Sequence, residues 1–342
     1  MRNIYDYTLC EFEEFFVSVG DKKFRATQIF DFLYKKRVDN PDSMNNIGKL
    51  CKDLLKENFS FEKIKILMKQ EDKDVSKYLF ELLDGERIES VVMFHDYGIS
   101  ICVSSQVGCN MGCRFCESGR LKKVRNLMAY EIVQQILLIE QDISKKITHV
   151  VVMGIGEPMD NYDDVMRFIH IINNDKGIGI GSRHITVSTC GVVPGIEKFM
   201  QEDGQVNLAV SLHAPNDLIR RQIMPISLAY DMESLFKVLK EYVKKTNRRV
   251  TIEYIMLDGI NDSDECAIEL TSRLKGLLCY VNLIPYNETE NIGYRRSKKN
   301  QIMKFYDILK KKNINVTIRK EFGGKVDAAC GQLRSHALRK GE

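Results

Sequence analysis

The chain has 342 residues, ten of them cysteine, and 51 Lys and Arg against 47 Asp and Glu give a net charge of only +4. That length buries a large core as one main domain with a smaller attachment, and the near-balanced charge does not by itself call for a polyanionic partner. No run of about 18 apolar residues is present and the first residues lack the apolar stretch of a signal peptide, so the ten cysteines are read as thiols of a reducing cytoplasm rather than a disulfide framework.

In chain order, Glu11 to Val19 and Ala26 to Lys36 carry apolar residues at helical spacing, with Gly20-Asp21 as the break between them. A third helix is predicted around Ile47 to Glu57, giving a small helical domain over residues 1–70. Lys77 to Leu83 and Arg87 to Met93 then alternate around Asp84-Gly85, a strong hairpin signal, and residues 71–95 are expected to form a β-hairpin linker.

From Ile99 onward strands and helices alternate. Predicted strands are Ile99 to Ser104, His149 to Met153, His184 to Ser188, Val206 to Leu212, Val250 to Ile255, Tyr280 to Ile284 and Asn315 to Arg319. Most are short Val- and Ile-rich runs, as in parallel strands buried on both faces. Amphipathic helices are predicted over Ala129 to Glu140, Tyr162 to Ile172, Met232 to Lys244 and Ser297 to Lys312. Such alternation implies right-handed βαβ units, so the fold class is α/β: a full or partial β/α barrel over 96–320, then a C-terminal segment over 321–342. Barrel chemistry collects at the C-terminal ends of the strands.

Those ends are polar here. The second barrel strand runs into Gly154-Ile155-Gly156-Glu157-Pro158, the third into Ser188-Thr189-Cys190-Gly191, the fourth into Ser211-Leu212-His213, and the strand at Tyr280 into Pro285-Tyr286-Asn287. A Gly-x-Gly pair lets backbone approach a ligand closely, and Glu157 is suited to accept hydrogen bonds from a cationic amine. The plainer alternatives are an ordinary strand-to-helix turn at Glu157 and a structural imidazole at His213.

Just past the first barrel strand stand Cys109, Cys113 and Cys116, spaced C-x3-C-x2-C. They offer three thiolates to one centre and no fourth, whereas structural zinc and electron-carrying [4Fe–4S] clusters normally use four protein ligands. Three ligands leave one iron of a cubane open to a small molecule. The spacing, with Phe115 before the last cysteine, resembles that of radical S-adenosylmethionine (SAM) enzymes; the alternative is a zinc knuckle with a remote fourth ligand. Basic islands lie at Lys22 to Arg25, Lys35 to Arg37, Arg120 to Arg125, Tyr294 to Lys299 and Arg334 to Lys340. If the fold gathers several on one rim they form a phosphate track, and otherwise each is a solvated helix face.

Two further cysteines complete a pattern: Cys102 in Cys-Val-Ser-Ser-Gln-x-Gly-Cys and Cys330 in Asp-Ala-Ala-Cys-Gly-Gln-Leu. With Gly-Glu-Pro, Val-Ser-Thr-x-Gly, Ser-Leu-His-Ala-Pro and Asn-Leu-Ile-Pro-Tyr-Asn, the sequence resembles the RlmN/Cfr family of radical-SAM RNA adenine methyltransferases over nearly its whole length. The resemblance implies a [4Fe–4S] cluster on Cys109, Cys113 and Cys116, with SAM held by Gly156, Glu157, Ser188, Ser211, Leu212, His213 and Asn287. It implies two SAM molecules per turnover, one methylating Cys330 and one cleaved reductively to a radical that activates the methylated cysteine toward adenine. Cys102 would form a disulfide with Cys330 to release the RNA adduct, and Glu89 would remove the ring proton. A base buried in folded RNA must be unstacked to be reached, and the N-terminal helices with the basic islands are the docking candidates.

Within the family, Pro158 and Pro285 match the enzymes that methylate carbon 2 of an adenosine in 23S rRNA, some of which also act on tRNA. The carbon-8, antibiotic-resistance type is the alternative, and Cys190, Glu117 and the compact basic segment Ser118 to Arg125 depart from the pattern. A non-catalytic iron–sulfur RNA-binding protein or redox sensor would not need Cys102 and Cys330, and a radical-SAM enzyme of small molecules would not need the helical module. A flavodoxin or ferredoxin as electron donor, a monomer and no membrane association complete the expectation.

Overall fold

The computed structural model describes residues 1–289, 292–319 and 333. Three helices open the chain, α1 (Leu9–Ser18), α2 (Phe24–Tyr34) and α3 (Lys49–Asn58). Helix α1 starts on a reciprocal cap: Glu11 N donates to Thr8 Oγ1 at 3.3 Å and Thr8 N donates to Glu11 Oε2 at 2.9 Å, satisfying two orphan donors of the first turn.

A ten-stranded sheet follows, and its strands lie side by side in sequence order. They are β1 (Lys65–Asp72), β2 (Val75–Glu81), β3 (Arg87–His95), β4 (Gly98–Val103), β5 (His149–Val152), β6 (Ile185–Thr189), β7 (Asn207–Ser211), β8 (Val250–Met256), β9 (Cys279–Pro285) and β10 (Val316–Ile318). The first four pair antiparallel, and β4 to β10 are parallel. Helices α4 (Ala129–Ile143), α5 (Tyr162–Asn173), α6 (Val193–Phe199), α7 (Asp217–Ile223), α8 (Met232–Thr246), α9 (Asp264–Leu274) and α10 (Lys299–Lys311) make the crossovers. Seven parallel strands with their helices form the expected partial barrel.

The expected hairpin at Asp84-Gly85 is present, closed by Gly85 N donating to Leu82 O at 3.0 Å with Gly85 at φ +84. The difference lies beside it. Strand β1 adds a third antiparallel strand, so the expected division at residue 70 falls inside a strand, and residues 65–95 extend the barrel sheet through the β3–β4 pairing. The mixed run Lys65–Asp72 has little buried surface of its own, and only its partner β2 defines it.

The helical module packs on the outside of the barrel. Tyr130 N at the start of α4 donates to Asp6 Oδ1 at 3.2 Å, Arg37 pairs with Glu140, and Arg167 pairs with Glu11. Phe30 is fully buried and stacks tilted on Tyr34, with centroids 4.5 Å apart. Its ring so closely covers Gly177 that a Cβ there would lie 2.6 Å from Cε1. Phe30→Ala removes this anchor and is expected to cost about 3–5 kcal/mol, read as a lower midpoint in urea unfolding; Phe24→Ala, at a half-exposed ring, is the control with little effect.

Candidate active site

One cavity of about 370 Å³ opens at the C-terminal ends of the barrel strands and is walled on one side by β2, β3 and β4. The strand registers explain the wall. Lys77 on β2 pairs with Val91 on β3, and Val91 pairs with Cys102 on β4, so the three lie in one row across the sheet. Glu89 lies two residues before Val91, hence on the same face. Lys77, Glu89, Val91 and Cys102 all line the cavity.

Glu89 is not an exposed strand carboxylate. It is 2 % exposed, Lys77 is 1 % exposed, and Lys77 Nζ lies 3.0 Å from Glu89 Oε2. Paired burial is what allows two charges in such a wall. Cys102 faces the same space, and burial pushes its thiol up to about 11, against the opposing pull of Arg319. Sequence reasoning missed Lys77 and Arg319 as cavity residues. The signal for Lys77 was the hairpin register, which sets it opposite Val91 and diagonal to Glu89.

Cys109, Cys113 and Cys116 line the opposite side. Their loop is held at both ends: Cys109 N donates to Leu121 O at 3.0 Å, and Arg114 N donates to Ile223 O at 2.9 Å. Gly119 fits close under Cys113, where a Cβ would lie 2.7 Å from its carbonyl oxygen. Burial drives the Cys109 thiol up to about 12 and the Cys113 thiol well above its ordinary value, so an electropositive ligand is needed to hold them as thiolates. No three His, Cys, Asp or Glu side chains among the described residues converge closely enough for a single metal ion. Three thiols from one loop match the three-thiolate donor set of a [4Fe–4S] cluster with one iron left open.

The polar strand ends complete the cavity. Gly156, at φ +111, passes so close to Gln106 that a Cβ would lie 2.6 Å from Gln106 Cβ, and Glu157 N donates to Gln106 Oε1 at 2.9 Å. The Glu157 carboxylate accepts from Met159 N at 3.0 Å and Cys190 N at 2.8 Å, and burial raises its pKa. Ser188, Ser211 and Asn287 line the same space, with Asn287 exposed at its rim. His213, at φ +57, accepts from Ile255 N at Nδ1 over 3.1 Å, and burial with the nearby Arg220 charge holds its imidazole down at about 3. Its neutral ring meets Phe115 edge to face at 5.0 Å, bracing the cysteine loop.

One expected residue among the described ones is not on the cavity wall. Leu212 is fully buried in the main core, and its backbone is engaged by Glu253 O and by Arg220 Nε. A leucine flanked by alternating polar positions faces the core side of its strand end. Cys330 lies outside the described residues. Leu333, three residues later, packs with Met68 on Leu79, the cross-strand partner of Glu89.

Several cations of three basic islands, 22–25, 35–37 and 120–125, are engaged in internal pairs. Arg125 binds Glu131 and Asp84, Lys123 binds Asp160 at 2.7 Å, Lys36 binds Asp31 at 2.9 Å and Arg25 binds Asp21 at 3.3 Å. No helix among the described residues is long and apolar enough to cross a membrane.

Comparison with known proteins accounts for the whole architecture. Residues 103–270 match the radical SAM superfamily, and residues 2–60 match the ribosomal RNA large subunit methyltransferase N-terminal domain. A protein of Enterococcus faecalis named as a probable dual-specificity RNA methyltransferase RlmN is 52% identical over 99% of this chain and 98% of its own length. One of the same name from Spiroplasma citri is 49% identical over 98% of each chain. The crystal structure of a radical SAM methyltransferase from Sphaerobacter thermophilus superposes with a TM-score of 0.91 at 39% identity, covering 97% of this chain and 99% of that one. With three cysteines at the mouth of a partial barrel and this likeness end to end, the chain belongs to the radical SAM superfamily and, within it, to the RlmN-type RNA methyltransferases, which work with a [4Fe–4S] cluster and SAM.

Proposed function

We propose that the chain methylates carbon 2 of an adenosine in 23S rRNA, with Cys330 as the intermediate methyl carrier. The observation that supports it most is the shared face of β2 to β4, which brings Glu89 and Cys102 to the same cavity as Cys109, Cys113 and Cys116. A plain iron–sulfur binder has no use for that pair.

In this reading Cys109, Cys113 and Cys116 hold the cluster, and Gly156, Glu157, Ser188, Ser211, His213 and Asn287 surround SAM. When bound, cluster and SAM together supply the one-electron chemistry that activates a C–H bond of methylated Cys330. Glu157 has backbone donors on both oxygens, which fix it in place to receive the ammonium of SAM on its remaining lone pairs. Glu89, steadied by Lys77, accepts the ring proton of the adduct. Once the adduct radical has given up one electron, for which the cluster would be the acceptor, loss of that proton leaves its electron pair on the ring. The Cys102 thiolate then attacks Cys330 sulfur, the carbon–sulfur electron pair passes to the methylene carbon, which takes up a proton to become the methyl group, and a Cys102–Cys330 disulfide forms. Leu333 rests on Leu79, the cross-strand partner of Glu89.

Pro158 and Pro285 both line the cavity and match the carbon-2 type. The dual-specificity name of the relatives supports a second RNA substrate, which in this reading is a tRNA adenosine. Residues 2–60 are the proposed RNA-docking module, and a low-potential donor such as flavodoxin or ferredoxin, a monomeric state and a cytoplasmic location complete the reading. The test is nucleoside mass spectrometry of 23S rRNA and tRNA from a methylation-deficient strain expressing the chain. 2-Methyladenosine is expected in both, and a dominant 8-methyladenosine peak overturns the carbon-2 assignment.

A further inference from the structure

Behind the cysteine loop, helix α7 carries a cation with no anion against it. Arg220 is 0 % exposed, the bulkiest fully buried side chain of the described residues. Its Nη2 donates to Cys190 O at 2.6 Å and Ser211 O at 3.4 Å, and its Nε donates to Leu212 O at 3.2 Å. Its Nη1 donates to Ser227 Oγ at 3.4 Å and Tyr230 O at 3.5 Å. Every one of these acceptors is a neutral oxygen. Asp217 stands one hydroxyl further away, accepting from Ser227 Oγ at 3.3 Å.

Carbonyls satisfy the N–H groups of a guanidinium, but they do not cancel its charge, and an uncompensated buried charge is costly. Asp217, behind the Ser227 hydroxyl, compensates part of the charge, and the rest falls to what lies on the other side of the guanidinium. Cys190, which gives the shortest of these bonds, packs in one apolar cluster with Ile223 and Met224, and Cys113 and Phe115 pack against that cluster. The same helix end receives the cysteine loop through Arg114 N and Ile223 O. Arg220, bonded to Cys190 O, thus stands across one apolar cluster from Cys113, the thiol that, on the reading above, ligates iron. On the other flank Glu117 follows Cys116, is 4 % exposed and lines the cavity.

We propose that Arg220 is the buried counter-charge of the iron–sulfur centre and raises its reduction potential, while Glu117 lowers it from the opposite flank. The inference rests on Cys109, Cys113 and Cys116 being the cluster ligands. Reduction adds an electron to a centre already carrying thiolate charge, so a nearby cation favours the reduced form and a nearby anion opposes it. The two opposed charges then decide how readily the centre accepts its electron, and Arg220 does so while tying the ends of β6 and β7 to α7.

The test is a redox titration followed by electron paramagnetic resonance on anaerobically reconstituted protein, with iron content measured alongside. Arg220→Met is expected to lower the ratio of reduced to oxidised centre at a fixed potential by roughly tenfold, the scale of one unit charge in a medium of effective dielectric about 20 and equivalent to about 59 mV for a one-electron centre. Arg220→Lys keeps the charge and should remain close to wild type. Glu117→Gln should move the potential upward. An unchanged potential in Arg220→Met, or an equal fall in Arg220→Lys and Arg220→Met, overturns the proposal. If Arg220→Met does not fold, Glu117→Gln decides alone, and no upward shift overturns it. A full cluster in Cys113→Ala instead breaks the ligand reading beneath it.

Discussion

Cys113→Ala is expected to abolish the brown absorbance of the reconstituted protein and all methylation while leaving the barrel folded. Two thiols cannot hold a cubane, and neither of the other thiols that line the cavity among the described residues can replace the third without moving backbone. Cys190 is anchored through its own backbone by Glu157 and Arg220, and Cys102 sits within a paired strand on the far wall. The loop should keep its course, since Gly119 and Ile223 hold it through backbone contacts that alanine retains. Iron and sulfide analysis with far-ultraviolet circular dichroism checks both halves of the expectation. A complete cluster in the variant means that the ligand set has been misassigned.

The parallel half of the fold was legible because burial on both faces forces a strand to be apolar throughout, and all seven predicted barrel strands lie within two residues of β4 to β10. The edge was harder. Strand β1 alternates exposed and half-buried residues, and nothing short of its pairing with β2 distinguishes it from a polar loop. Cysteine spacing and the polar strand ends pointed to the cavity because the barrel topology carries every strand end to one rim. What a linear reading could not supply was depth. Glu89 entered only through the resemblance, and its burial against Lys77 shows only in the fold; Arg220 drew no reading from the sequence, because nothing linear shows that its acceptors are all neutral oxygens. Within the basic islands, the pairing of Arg125 and Lys123 with Asp84, Glu131 and Asp160 likewise shows only in the fold.

The largest separation of phenotypes is expected between the two cysteines outside the cluster motif. Cys330→Ala should retain the cluster, carry no S-methyl group and attach to no RNA, because the methyl acceptor itself is gone. Cys102→Ala should still be methylated on Cys330 and then stop after one event with RNA bound covalently, because no thiolate remains to displace carbon from sulfur. Turnover in both falls to nothing measurable, yet denaturing electrophoresis with labelled RNA tells them apart. Glu89→Gln belongs with Cys102→Ala. It keeps the shape of the side chain and a hydrogen bond to Lys77 but cannot take the ring proton, so release should slow by about 10²–10⁴-fold while adduct formation is spared. The thiol of Cys102, held up at about 11 by burial, adds a pH dependence. Only its thiolate attacks, so release should accelerate as pH rises from 7 to 9, whereas first-step methylation of Cys330 does not depend on that thiol. Normal turnover by Cys102→Ala would remove Cys102 from the chemistry and leave it as one more side chain in the wall of β4.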